Sequence, residues 1–148
     1  QTARGALLEM QASQTAVDEL NTEQIEDIYA LKTGCYTFTL PLTLAARCAG
    51  SEPAGLEAIG RPAGIAFQLQ NDLNSLQRWQ ETGLLPDDIR DRRRIWPLVY
   101  AGSQDQLHTE STRTAVRRAV GKFAGQVLER VDHLPFTNDL LRKFLVRH

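Results

Sequence analysis

Between Gly64 and Ser75 the sequence Gly-Ile-Ala-Phe-Gln-Leu-Gln-Asn-Asp-Leu-Asn-Ser sets carboxamides, one carboxylate and a hydroxyl into an otherwise apolar stretch. At 3.6 residues per turn, Gln68, Asn71, Asp72 and Ser75 fall at i, i+3, i+4 and i+7, one stripe of a helix. Ile65, Phe67, Leu69, Leu73 and Leu76 surround that stripe. Such a helix is expected inside a bundle, and polar groups buried there need a partner, so all four can face one ligand cavity.

Two other clusters point to an anion. Lys32-Thr33-Gly34 lies within a helical pattern, where glycine costs about 1 kcal/mol relative to alanine. An ammonium supplies charge, a hydroxyl a hydrogen bond, and a missing side chain leaves room for an anionic oxygen. A surface lysine beside a helix-packing glycine has the same sequence. Downstream, Arg90, Arg92, Arg93 and Arg94 concentrate donors that match phosphate oxygens, and Asp87, Asp88 and Asp91 could orient them or hold a divalent ion.

The elements that must position these groups read as all-α. A helix is expected over 3–20. The capping-box pattern Asn21-Thr-Glu-Gln24 starts another, running to about Ala49 with a kink at Pro41. Ser51-Glu52-Pro53 opens a third segment, interrupted near Pro62, so that the organising helix spans Gly64 to Trp79 and ends before Gly83. Residues 83–94 read as a charged loop. A short helix over 95–101 and longer ones over about 110–132 and 137–147 complete the chain.

The 148 residues, 42% of them hydrophobic, suit one helical domain with a core. No apolar run is long enough to span a bilayer and the start lacks a signal-peptide pattern, so a cytoplasmic protein is expected. The net charge of −1 argues against nucleic-acid binding. Its distribution is uneven: residues 1–31 carry −5 and residues 113–148 carry +5. Cys35 and Cys48, 13 apart, read as reduced core residues.

Taken in order and spacing, Lys32-Thr-Gly34, Gly64-Ile-Ala-Phe-Gln-Leu-Gln-Asn-Asp-Leu73 and Arg93-Arg-Ile-Trp-Pro-Leu-Val-Tyr-Ala101 resemble the C-terminal half of trans-isoprenyl diphosphate synthases, the polyprenyl synthetase family. Leu8-Glu-Met-Gln11 is similar to that family's Gly-Gln segment, with Met10 for the glycine and Gln14 where aspartate is usual. The resemblance implies an isoprenoid-synthase helical bundle that binds an allylic prenyl diphosphate through Mg2+ held by two facing aspartate-rich motifs. Lys32, Thr33 and Gln68 would then meet the diphosphate. Arg93 would replace a diphosphate-binding lysine, and Asn71, Asp72 and Ser75 would occupy the second metal motif.

That motif departs from the family pattern. Asp-Asp-x-x-Asp becomes Asn71-Asp72-Leu-Asn-Ser75, one carboxylate of three, which weakens the hard, charged ligation magnesium prefers. Asn71, Asp72 and Ser75 match instead the start of the Asn-Asp-x-x-Ser-x-x-x-Glu motif of class I terpene cyclases. Trp79 stands at its glutamate position, and Glu81 falls about 80° round the helix from Asn71. The first aspartate-rich motif has no counterpart in these residues. The resemblance therefore implies half a bundle with exposed apolar faces, completed by a complementary N-terminal-half chain or by another subunit in a homo- or hetero-oligomer. Three functions stay open: elongation of an allylic diphosphate with isopentenyl diphosphate, cyclisation of a terpene, or non-catalytic regulation of a prenyltransferase partner.

Overall fold

In the computed structural model, which describes residues 1–52 and 54–132, the chain is a bundle of helices, and there is no strand among the described residues. The expected role of Pro53 in a first turn and the helix over 137–147 lie outside them. Helix α1 spans Thr2–Gln14, shorter than the pattern suggested, and a separate turn of 3-10 helix follows at Val17–Glu19. Helix α2 (Thr22–Tyr29) starts at the expected box: the Asn21 side chain accepts from the Gln24 N–H while the Gln24 side chain accepts from the Asn21 N–H. Asn21→Ala removes one of those acceptors and is expected to cost about 1 kcal/mol, read as a lower urea midpoint at unchanged slope.

The helical path then continues without a break, but not as one α-helix. Ala30–Thr39 is π-helical, and α3 resumes at Leu40–Cys48 with Pro41 in its first turn. The kink expected at Pro41 is thus spread over the ten residues before it. Proline cannot donate, and in an α-helix its ring collides with the carbonyl four residues back. Widening the preceding turns moves that carbonyl away, and the Leu40 N–H donates to the Cys35 carbonyl five residues earlier.

Helix α4 (Leu56–Thr82) runs straight through the position where an interruption was expected at Pro62. The proline costs a hydrogen bond, but Ile59, Gly60, Pro62, Ala63, Gly64 and Ile65 are all buried, and that packing outweighs a penalty of about 3 kcal/mol. Gly83, at φ 73°, closes α4 as the sequence suggested. The charged loop contains one helical turn, α5 (Asp87–Arg90), ended by Arg92 at φ 59°. Helices α6 (Trp96–Ala101) and α7 (Glu110–Asp132) agree with expectation.

Helix α4 is the central element, packed mainly on the π-helical segment and on α7. The main core joins Ile25, Ile28 and Tyr29 of α2, Ile65 and Leu69 of α4, Trp96 and Val99 of α6, and Val116 and Phe123 of α7. The cysteines correct the core reading: both thiols are free, but Cys35 is only half-buried and Cys48 is exposed.

Candidate functional site

Two of the three sequence clusters meet because α4 and the π-helical segment cross almost backbone to backbone. A Cβ on Gly34 would lie 2.8 Å from the Gly60 carbonyl oxygen, and one on Gly64 would overlap the backbone N and Cα of Gly34. The space left by Gly34 is therefore filled by α4 rather than left for an anion. What the crossing does is bring Thr33 against the polar stripe of α4.

There the side chains form a relay. Gln68 donates from Nε2 to the Thr33 hydroxyl at 2.9 Å, and its Oε1 accepts from Asn71 Nδ2 at 3.1 Å. Thr33 is buried, Gln68 half-buried and Asn71 exposed, so the relay runs from the core to solvent. The ammonium of Lys32, the residue before Thr33, is half-buried and donates to both oxygens of Glu9 on α1, at 2.8 and 2.6 Å.

Asp72 goes elsewhere. It is 6% exposed and accepts from the Tyr29 hydroxyl at 2.6 Å, while that hydroxyl accepts from the Trp96 N–H at 3.1 Å. Burial pushes the Asp72 carboxyl up to about 8; nearby Asp88 acts in the same direction, and the Tyr29 and Trp96 hydrogen bonds oppose it. The Tyr29 phenol is raised well above its ordinary range, first by burial and then by Asp72. Ser75 is half-buried. The four residues of the stripe thus divide between a solvent-facing relay and a buried carboxyl, instead of lining one cavity.

Arg93 belongs to the segment that leads into Trp96. Its guanidinium pairs with Asp88 at 3.2 Å and more loosely with Asp91 at 3.9 Å. Arg90 pairs with Asp87, and Arg94 donates twice to the Thr15 carbonyl, tying the loop to the end of α1. The acids of this loop are therefore matched to its own arginines, and the Trp96 N–H links the segment to Tyr29 and Asp72.

These sequence blocks, in this order on an all-α bundle, agree with a family comparison: the polyprenyl synthetase model matches residues 1–129. The chain belongs to the polyprenyl synthetase family. No curated protein and no solved structure matches it. The match accounts for the helical fold and for a role of prenyl diphosphate synthase type.

In this member of the family the residues of the second metal motif do not by themselves fit a magnesium ion. Their one carboxyl is buried, engaged by Tyr29 and inclined to keep its proton, whereas magnesium wants an ionised oxygen and near-octahedral geometry. Among the described residues there is no group of three or more His, Cys, Asp or Glu side chains that could hold a metal. Nor is the cyclase glutamate replaced. Trp79 packs on the His108 ring, with centroids 4.0 Å apart, and Glu81 accepts from Gln77 on the exposed side of α4.

Two partners of the site, Tyr29 and Glu9, were not singled out from sequence. Tyr29 reads as one more apolar residue of α2, yet it stands three and four residues before Lys32 and Thr33, the spacing of one helical face. Glu9 carries no such signal, because the helix-helix contact that delivers it lies 23 residues away in sequence.

Proposed function

We propose that this chain is the prenyl diphosphate-binding part of an isoprenyl diphosphate synthase-like enzyme that ionises an allylic prenyl diphosphate for chain elongation with isopentenyl diphosphate. The observation that carries the reading is the relay of Thr33, Gln68 and Asn71 from the core to solvent, next in the chain to Lys32, on a polyprenyl synthetase fold. Ionisation breaks the bond between the allylic carbon and the diphosphate oxygen, and the electron pair leaves with the oxygen. Lys32 and Arg93 would neutralise charge growing on that oxygen, and Thr33 and Gln68 would donate hydrogen bonds to it. The completed site would have to shield the allylic cation from water until the isopentenyl double bond attacks it.

In the family's chemistry Mg2+ neutralises the departing diphosphate. Asn71, Asp72 and Ser75 are proposed as this chain's contribution to that ion's shell, incomplete until further carboxylates join it. A complementary N-terminal-half chain or subunit carrying the first aspartate-rich motif would supply them. Exposed Tyr36, Leu40 and Leu44, spaced four apart, with Phe67, Leu7 and Met10, support an apolar face for such a partner. None of the described helices is long and apolar enough to cross a membrane.

The sequestered Asp72 carboxyl supports a second reading, a non-catalytic subunit that modifies a prenyltransferase partner. The terpene-cyclase alternative rests on Asn71 and Ser75 alone. All three are separated by assaying the chain, with and without a polypeptide bearing the first aspartate-rich motif, on farnesyl and geranylgeranyl diphosphates with magnesium. Elongation requires isopentenyl diphosphate for product, cyclisation does not, and absence of diphosphate release in every combination sinks both enzyme readings. Lys32→Gln is expected to weaken substrate binding roughly 10- to 100-fold by removing a charged hydrogen bond. Asp72→Ala with undiminished activity would end the metal assignment.

A further inference from the structure

The contact between α1 and the π-helical segment places a counter-ion on the lysine that the proposed diphosphate site depends on. Gly5 permits it: a Cβ there would sit 2.9 Å from the Lys32 backbone nitrogen and 3.0 Å from the Leu31 Cβ, so α1 lies directly on this part of the chain. Glu9 follows Gly5 by four residues and therefore projects from the same face. Its carboxylate holds Lys32 Nζ through both oxygens, with the two side chains 28% and 35% exposed.

An ammonium has three protons. With two directed at Glu9, one remains for any other acceptor, and the net charge of the pair is zero. Thr33, next in the chain, and its partner Gln68 carry only neutral groups. A diphosphate approaching this cluster therefore meets a neutralised lysine and, within a few ångströms of it, a carboxylate of its own sign.

We propose that Glu9 is a positioning residue that sets the diphosphate affinity of this site by competing with the ligand for Lys32. The inference rests on the reading of Lys32 as a diphosphate ligand. Binding moves one or more of the lysine's protons from Glu9 to a phosphate oxygen's hydrogen bond, and the displaced carboxylate turns to solvent along the exposed side of α1. No bond other than hydrogen bonds changes. Because the pair is partly exposed, it adds little to stability, so its removal should leave the fold intact.

The test is calorimetric titration of the full chain with inorganic pyrophosphate, without metal, at low ionic strength. Glu9→Gln keeps the shape and a hydrogen-bond acceptor but removes the charge, and it is expected to bind pyrophosphate about tenfold tighter than the parent chain, an effect that shrinks as salt is raised. Lys32→Gln is expected to weaken binding in the parent and to abolish the gain from Glu9→Gln when the two are combined. Equal or weaker binding by Glu9→Gln, where Lys32→Gln still weakens it, overturns the Glu9 proposal alone. If Lys32→Gln leaves pyrophosphate binding unchanged, or if neither the parent nor Glu9→Gln binds it, the diphosphate reading of the site falls and the Glu9 proposal with it. The thermal midpoint of Glu9→Gln, expected within a few degrees of the parent, distinguishes a change of affinity from a change of fold.

Discussion

Gly64→Ala should cost this chain several kcal/mol, on the order of 3 or more. The new Cβ would overlap the N and Cα of Gly34, which are backbone atoms and cannot rotate aside. Either α4 and the π-helical segment move apart or the strain stays in place. Moving them apart also unpacks Ile65 and Leu69 from Ile25 and Ile28, since one core spans both sides of the crossing. Against a typical domain stability of about 5–15 kcal/mol, such a loss leaves a marginal protein. Helix propensity acts in the opposite direction, because alanine is favoured over glycine by about 1 kcal/mol inside a helix. Gly121→Ala isolates that term: among the described residues nothing lies within 4 Å of its added Cβ on α7, so it should stabilise slightly. Urea denaturation of the two variants decides the matter, and equal midpoints would dismiss the backbone crossing as the reason for Gly64.

Asp72→Asn should remove a fall in stability across neutral pH, so that the variant and the parent exchange rank. The folded carboxyl titrates at about 8, above its ordinary 3.8. Below pH 3.8 both the folded and the unfolded chain hold the proton, and the stability associated with this group is fully present. Between the two values the unfolded chain ionises while the folded one keeps its proton, so unfolding releases a proton and stability falls as pH rises. Above about 8 the loss levels off. Each pKa unit corresponds to about 1.4 kcal/mol, so the total is at most on the order of 5 kcal/mol, taken from other interactions of the fold. Asparagine keeps an oxygen for the Tyr29 hydroxyl but cannot ionise. Its amide N–H groups need acceptors that the buried site was not built around, which costs about 1–3 kcal/mol at every pH. The variant is thus expected to be less stable than the parent at pH 4 and more stable at pH 8, with the two curves crossing between. Thermal or urea unfolding in the presence of a chelator across that range provides the measurement. Parallel curves would show that Asp72 is not held neutral by its surroundings.

The residue that Gly64 meets, Gly34, reads from sequence either as room for an anion or as a helix-packing glycine, and it is room for a helix. The glycine was visible because its helix penalty requires compensation, whereas its contact partner, the α4 backbone at Gly60 and Gly64, is set by how two helices cross. Asp72 was read on one stripe with Gln68, Asn71 and Ser75. Periodicity assigns a direction to within a helical face, and within that width one residue can turn into the core while its neighbour stays in solvent.

What the sequence by itself determined is the helical class, the capping box at Asn21, the C-terminal end of α4 at Gly83, the bounds of α6 and α7, and the family, which follows from local blocks whose order and spacing survive without any coordinates. These are short-range properties, set by backbone propensity, caps and hydrophobic period. Tertiary structure decided who meets whom: Glu9 on Lys32, Gln68 on Thr33, Tyr29 between Asp72 and the Trp96 backbone. Each of those pairs joins residues far apart in the chain, and their geometry depends on the close crossing of α4 with the π-helical segment and on the seating of α1 at Gly5. The protonation of Asp72 follows from the same cause, because a carboxyl's pKa is governed by burial and neighbouring charge, neither of which is a property of residue type.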